Sequence, residues 1–302
     1  MLREKADNSN PVLLSSGSLR NYGLDRVFEI AARCGYDGVE LIVDERTDSV
    51  HADYLRKLAE RYSTPIPVVH APFAFLDPPG WEKDELFRLI RSVRLAEEVE
   101  ARSVVLHTPF YTDRIFCRWL EESLGEFQGK NTVTILVENM PCYRKVGGRL
   151  GKIFTIPDLA ERNRKGLWKM VPGFLLPACF PLSDLDRMAQ FPHIILDTTH
   201  LGTAGIDPIS AFDRFRWKIG HIHLSNYDGR EHLELRTGFL DLAAFLRHVT
   251  ASGYRGGYCL EIMPEYFDSH DVDSTVRLLS ENLAFIREGI AGENSELPGR
   301  GA

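Results

Sequence analysis

Six short apolar segments of this chain each end in side chains that can bind a metal or move a proton. Their ends read His70-Ala71-Pro72, His107-Thr108-Pro109, Glu138-Asn139, Asp197-Thr198-Thr199-His200, His221-Ile222-His223 and Glu261-Ile262. Carboxylates and imidazoles gather in a water-poor place when a cation offsets their desolvation and mutual repulsion. A set of His, Asp and Glu without Cys suits Mn²⁺, Co²⁺, Fe²⁺ or Zn²⁺ better than Ca²⁺ or a structural zinc. The expected cofactor is a divalent metal: Mn²⁺, Co²⁺, Mg²⁺ or Zn²⁺. The spacing therefore predicts a divalent-metal site.

These segments alternate with amphipathic stretches of helical length. The candidate strands are Pro11–Leu14, Gly38–Ile42, Pro65–His70, Ser103–His107, Val133–Glu138, His193–Asp197, Lys218–Leu224 and Gly257–Ile262. The candidate helices are Leu24–Cys34, Ser49–Tyr62, Glu82–Glu100, Asp113–Phe127, Ser183–Gln190, Ile209–Phe215, Leu240–Ala251 and Asp273–Glu288. Eight βα units in order predict an α/β chain folded as a single (β/α)8 TIM barrel over residues 1–290. The carboxyl ends of its strands would converge on one mouth. The alternative is an open doubly wound sheet, but no Gly-rich phosphate-binding fingerprint follows the first strand.

One connection, residues 141–181 after strand five, is much longer than the usual barrel loop. Within it, residues 141–170 hold eight basic side chains against Asp158 and Glu161. The segment is interpreted either as a solvated excursion or as a lid that meets an anionic group of the substrate. Residues 291–302 are expected to form a disordered tail.

The amino-acid composition limits the kinds of molecule that this protein could bind. The 302 residues carry a formal net charge of −7, which excludes a globally basic nucleic-acid binder. No apolar run approaches the roughly 20 residues of a membrane span, so no membrane partner is expected. The five cysteines are scattered and lack CxxC spacing. Together with the polar N-terminus they predict a cytoplasmic protein. A homo-oligomer is compatible with the sequence, which gives no signal for its size.

The order and spacing of the strand ends resemble the xylose isomerase-like TIM-barrel superfamily. That superfamily joins sugar isomerases and epimerases to the endonuclease IV-type AP endonucleases. The resemblance runs from Gly35-Tyr36-Asp37-Gly38-Val39-Glu40-Leu41 to Leu260-Glu261. It implies a shared metal site made by Glu138, Asp197, His223 and Glu261. His223 is preferred to His221 because the second His of the H-x-H-L-x-D pattern is the ligand. Asn226 stands where that pattern has Asp, and His221 is left as a neighbour of the site.

The endonuclease branch of the superfamily uses further ligands. Its additional histidines match His70, His107, His200 and His232. Its remaining Asp, however, falls on Arg230, which cannot replace a metal ligand. The Gln- and Gly-containing segment after the strand-five Glu is replaced by Asn139-Met140-Pro141. These departures favour the sugar-enzyme branch.

The resemblance implies an isomerase or epimerase of carbohydrate metabolism acting on a small sugar, sugar phosphate or polyol. Glu138 and Glu261 would transfer a proton through a metal-stabilised enediolate. His70, His107, His200 and Glu40 would bind substrate hydroxyl groups or water. The alternatives are an AP endonuclease or phosphodiesterase and a sugar-binding barrel without turnover. The sequence leaves open the sugar and the choice among epimerisation, isomerisation and dehydration.

Overall fold

Strands and helices alternate along the chain in the computed structural model, which describes residues 10–73, 76–141, 143–146, 152–155 and 180–291. The strands are β1 Val12–Ser15, β2 Gly38–Ile42, β3 Val68–His70, β4 Ser103–His107, β5 Thr134–Glu138, β6 Tyr143–Val146, β7 Lys152–Thr155, β8 Ile194–Asp197, β9 Ile219–Leu224 and β10 Gly257–Leu260. All except β6 and β7 pair in parallel and close into a barrel in the order β1-β10-β9-β8-β5-β4-β3-β2. The predicted TIM barrel is confirmed.

Helices follow the barrel strands and cover their outer face. They are α1 Leu24–Cys34, α2 Ala52–Tyr62, α3 Glu85–Glu98, α4 Arg114–Glu122, α5 Leu124–Gly129, α6 Leu185–Met188, α7 Thr198–Ala204, α8 Pro208–Phe215, α9 Leu242–Ala251 and α10 Val272–Ala291. Local chemistry sets their ends. Gly35, at φ +85°, stops α1 and donates its N–H to Ala31 O. The Asp84 carboxylate caps α3 by accepting from Phe87 N at 2.8 Å, because the first turn of a helix leaves its N–H groups free.

The alternation of side chains along each strand separates two apolar layers. Residues such as Val39 and Leu41 of β2 point outward and join the large core between barrel and helices. A second, separate cluster fills the barrel interior, and we call it the plug. Its members are Leu13, Val68, Val105, Leu136, Ile195 and Cys259. The plug closes the barrel from within, so the interior is a packed core and not a channel.

Two positions after each plug residue the chain has a polar residue. Its side chain points to the same face of the strand and lies one layer nearer the mouth of the barrel. These six residues are Ser15, His70, His107, Glu138, Asp197 and Glu261. Strand β9 adds His221 and His223 with the same spacing. The two-residue alternation along each strand therefore explains why these polar residues meet in one place. The six residues and His223 form one polar layer of the barrel interior, directly above the plug.

Part of the predicted insertion 141–181 is described. Tyr143–Val146 and Lys152–Thr155 pair as an antiparallel hairpin, and Pro181–Ser183 forms a 3-10 turn. Residues 142, 147–151 and 156–179, which include five of the eight basic side chains of 141–170, lie outside the described residues. The last helix continues through Ala291, and the rest of the predicted tail also lies outside them. Over the described residues, no helix is long and apolar enough to cross a membrane.

Asn226 organises the loop that follows β9. Its Nδ2 donates to Leu235 O at 2.9 Å and to Leu240 O at 3.2 Å. Its Oδ1 accepts from Tyr227 N at 2.8 Å and from Leu240 N at 3.0 Å. The two carbonyl partners require a donor at this position, so an amide suits this loop where the family pattern has a carboxylate.

Replacing Asn226 with Asp is therefore expected to destabilise the protein by about 2–4 kcal/mol, because a buried carboxylate would face two carbonyl oxygens. Urea unfolding measures the change. Asn21→Asp, at an exposed side chain, is the matched control and should change the free energy of unfolding by less than about 0.5 kcal/mol. Equal effects of the two substitutions would contradict this role for Asn226.

Candidate metal centre

Four side chains from four strands converge at the mouth of the barrel. We call Glu138, Asp197, His223 and Glu261 the primary group; one ligand atom from each lies within 4.8 Å of all the others. His223 Nδ1 is at the centre, 3.1 Å from Glu261 Oε2, 3.3 Å from Glu138 Oε1 and 3.8 Å from Asp197 Oδ2. These are the residues that the resemblance predicted as ligands, and the structure brings all four together.

The electrostatics of the primary group favour a cation. Burial would lower the pKa of His223, but the carboxylates of Glu40, Glu261 and Glu138 raise it well above its ordinary value. Burial, together with the nearby Glu138 carboxylate, raises the pKa of Asp197 to about 7. The raised pKa values mean that His223 and Asp197 hold protons more tightly where three carboxylates meet. A divalent ion bound there can replace those protons.

Two buried oxygens of this group, Asp197 Oδ2 and Glu138 Oε2, have no hydrogen-bond partner among the described residues. Asp197 Oδ1 accepts from His200 N at 2.8 Å and caps α7. A buried carboxylate oxygen without a donor is costly, and Asp197 Oδ2 points toward His223. The donor set, three carboxylates and one imidazole, fits a borderline or hard divalent ion, so the residues present suit the metal implied by the resemblance.

A second set, the β3–β4 group, consists of His70, His107 and Glu138. Glu138 Oε2 lies 3.1 Å from His107 Nε2 and 3.4 Å from His70 Nε2. His70 donates its Nδ1 hydrogen to Ala71 O at 2.8 Å, which leaves Nε2 facing the carboxylate. The Phe73 ring stacks on His107 at a centroid distance of 4.7 Å. Glu138 therefore belongs to two adjacent sets, with one oxygen in each.

The third set, the α7 group, consists of Asp197, His200 and His232. His200 Nδ1 donates to Asn139 O at 2.7 Å. His232 has a left-handed backbone at φ +54°, a strained conformation for a non-glycine residue. Arg230 is exposed and pairs with Asp228 at 2.7 Å. The position where the endonuclease pattern has a carboxylate thus contributes no ligand to this group.

Two predicted residues lie deeper in the barrel. Glu40 and His221 are buried and bonded to each other at 3.0 Å, and Glu40 also contacts the far side of His223. Glu40, His221, His223 and Cys259 form a further compact set.

Asn139 and Ser15 were not assigned a role from the sequence. Asn139 clamps Asp197 by accepting from its N–H at 2.8 Å and donating to its carbonyl at 3.1 Å. Ser15 Oγ donates to Glu261 Oε1 at 3.5 Å. In the sequence, only its position directly after Glu138 indicates a role for Asn139. Ser15 follows Leu13 by two residues, so strand alternation could have predicted that it faces the site.

Metal binding should stabilise the folded protein. At about 100 times the dissociation constant, an ion that binds only the folded state adds roughly 2.7 kcal/mol. A shift of about 4 °C in Tm on adding Mn²⁺ or Co²⁺ to chelator-treated protein is expected. Differential scanning calorimetry measures it. Asp197→Asn keeps a capping oxygen for α7 but weakens the ligand set, and it should lose most of the shift. An unchanged Tm in the wild type would contradict metal binding.

Comparisons with known proteins agree with the fold. A family model described as "Xylose isomerase-like TIM barrel" matches residues 28–166. An uncharacterized protein of Mycobacterium tuberculosis is 32% identical over 278 residues, covering 91% of this chain and 95% of that protein. One from Mycobacterium leprae is 31% identical over 279 residues, with the same coverage of each chain.

Solved structures show the same architecture at low identity. A D-tagatose 3-epimerase-like protein has a TM-score of 0.57 and 21% identity, over 93% of this chain and 99% of that chain. The 3-keto-D-glucoside 4-epimerase of E. coli gives 0.56 and 15%, over 92% and 99%. An AP endonuclease, family 2, from Brucella melitensis gives 0.56 and 17%, over 84% and 93%. This chain belongs to the xylose isomerase-like TIM-barrel family.

Proposed function

We propose that this protein is a divalent-metal-dependent isomerase or epimerase of a small sugar or sugar-derived substrate. The observation that carries the proposal is the placement of Glu138 and Glu261. Glu138 ends β5 and Glu261 directly follows β10, and β8 and β9 lie between these strands. Both carboxylates nevertheless contact the same His223 Nδ1, at 3.3 Å and 3.1 Å. Two carboxylates that reach one metal position from different sides can remove a proton and return it.

In both carboxylates, the two oxygens face different neighbouring residues. Glu138 directs Oε1 to His223 and Oε2 to His107. Glu261 directs Oε2 to His223 and Oε1 to Ser15. Each residue can therefore hold a metal with one oxygen and exchange a proton with the other.

The protonation states support this role. Burial would raise the pKa of Glu138, but His223 and His107 hold it well below its ordinary value. Burial would likewise raise the pKa of Glu261, but His223 lowers it to about 2. Both are ionised at neutral pH, which is the protonation state that a metal ligand requires. A bound divalent metal would polarise the substrate carbonyl and acidify the neighbouring C–H. The side chain of Glu261 is 16% exposed, against 1% for Glu138, so Glu261 is the more accessible to substrate.

A second candidate, hydrolysis of phosphodiesters in abasic DNA, is favoured by one observation. The β3–β4 group adjoins the primary group through Glu138, as a multi-metal centre requires. Arg230 weighs against it, because its exposed guanidinium stands where the endonuclease pattern has a ligand. We therefore place the isomerase first. The cytoplasmic location, the role in carbohydrate metabolism and an anionic substrate stay predictions from the sequence.

Solvent-exchange experiments test the proposal. Metal-loaded protein is incubated with a panel of ketoses and ketose phosphates in D₂O, and deuterium at the carbon next to the carbonyl is followed by NMR. Exchange with at least one substrate, absent after chelation, is the expected result. Nicking of abasic-site DNA without sugar exchange would favour the second candidate. Sugar binding without exchange or hydrolysis would indicate a non-catalytic barrel.

A further inference from the structure

Glu40 on β2 joins two histidines of β9 across the barrel interior. Its Oε1 lies 2.9 Å from His223 Nε2 and its Oε2 lies 3.0 Å from His221 Nε2. All three side chains are buried, with at most 4% exposure. A carboxylate can only accept, so both Nε2 atoms carry a hydrogen and donate it to Glu40.

This arrangement decides which nitrogen of His223 remains free. A neutral imidazole with its hydrogen on Nε2 has its lone pair on Nδ1. Nδ1 is the atom that faces Glu261, Glu138 and Asp197 at 3.1, 3.3 and 3.8 Å. The bond to Glu40 thus turns the lone pair of His223 toward the primary group.

His221 holds the Glu40 carboxylate in place through a hydrogen bond. It lies two residues before His223, level with the plug, and its partners on the neighbouring strands are Gly257 of β10 and the plug residue Ile195 of β8. A carboxylate with one oxygen unpaired would be unstable in this apolar layer. The His221 Nε2–H satisfies that second oxygen, and the carboxylate is held in the plane that reaches His223.

We propose that Glu40 is a positioning residue that sets the tautomer and ring orientation of His223 for metal binding, and that His221 anchors Glu40. The inference rests on the metal-dependent function proposed above, but it concerns ion affinity and not turnover. A carboxylate behind a metal-binding histidine typically contributes 10–100-fold to metal affinity.

Glu40→Gln is the direct test. The amide is neutral and offers one acceptor and one donor group, so His223 either loses its acceptor at Nε2 or donates to an uncharged oxygen, and its affinity for metal falls in both cases. Metal-free protein is titrated with Co²⁺ and followed by calorimetry and by the visible Co²⁺ spectrum. The expected results are a dissociation constant about 10–100-fold higher and an altered spectrum at saturation. Glu40→Asp keeps the charge and should recover part of the affinity.

Further variants separate positioning from folding and from direct coordination. His221→Phe removes the anchoring donor, whereas His221→Gln supplies one, so the first should weaken Co²⁺ binding and the second restore it. Cys259→Ala removes the thiol of the same compact set and tests whether that set holds an ion of its own. Thermal unfolding of each metal-free variant confirms that the protein measured is folded.

Wild-type affinity in folded Glu40→Gln or His221→Phe would overturn the proposal. An additional Co²⁺ ion in the wild type that both Glu40→Gln and Cys259→Ala lose would also overturn it, because Glu40 would then be a ligand. No Co²⁺ binding by the wild type would overturn this inference and the proposed function together. Failure of every sugar while Glu40→Gln binds Co²⁺ weakly would overturn only the proposed function.

Discussion

Glu138→Gln is expected to lower turnover by about 10³-fold and to remove tightly bound metal. Glu138 is the one carboxylate that belongs to both the primary group and the β3–β4 group. Its Oε1 faces His223 and His200, and its Oε2 faces His70 and His107. A neutral amide would leave these four imidazoles without their shared anion and would bind a divalent ion poorly.

The fold should survive this substitution. Glu138 lies in the polar layer above the plug, whereas the apolar packing of the barrel lies below and outside it. Metal content and steady-state kinetics are measured on the variant beside Glu122→Gln, which makes the same change at an exposed position. Wild-type metal content and turnover in folded Glu138→Gln would show that this carboxylate is not part of the working site.

Glu261→Gln is expected to lower turnover to a similar extent but to weaken metal binding less. Glu261 takes part only in the primary group among the compact sets of the described residues, and its side chain is the more exposed of the two. The β3–β4 group and the remaining ligands stay intact. The expected pattern is therefore a loss of about 10³-fold in kcat with much of the metal retained.

Deuterium exchange sharpens this second test. If Glu261 exchanges the substrate proton, the variant should fail to incorporate solvent deuterium even when saturated with metal. Kinetics at saturating metal separate this loss from simple metal depletion. A kcat within tenfold of the wild type at full metal occupancy would contradict the acid–base assignment of Glu261.

The sequence predicted the barrel and the convergence of its strand ends because both follow from short-range patterns, whereas the choice of the four residues of the primary group came from the family resemblance. A short run of aliphatic residues located β4 at Ser103–His107 without error, and the residue that ends each strand could be read directly. Glycine signals were equally local: Gly35 ends α1 as expected. The strand ends at Glu138 and Asp197 also matched.

Features that depend on tertiary contacts were not predictable in the same way. Helix α7 begins directly after β8 with two β-branched threonines, which by themselves favour a strand. It forms because Asp197 caps it and because Thr198 and Thr199 donate to the carbonyls of Ser225 and Asn226. The contacts of Glu40 with His221 and His223 depend likewise on the barrel. Its partners on the neighbouring strands are Ser15 and Val68, so Glu40 lies between the polar layer and the plug.

The metal content of the protein tests the central claim most directly. Protein purified without chelator, then exchanged with Mn²⁺, Co²⁺ or Zn²⁺, is analysed by inductively coupled plasma mass spectrometry. The primary group predicts about one ion per chain, strongly reduced in Asp197→Asn. Two or three zinc ions per chain would assign the β3–β4 and α7 groups as ligands and make abasic DNA the first substrate to test. Folded wild-type protein that retains no ion under any of these conditions would contradict the account.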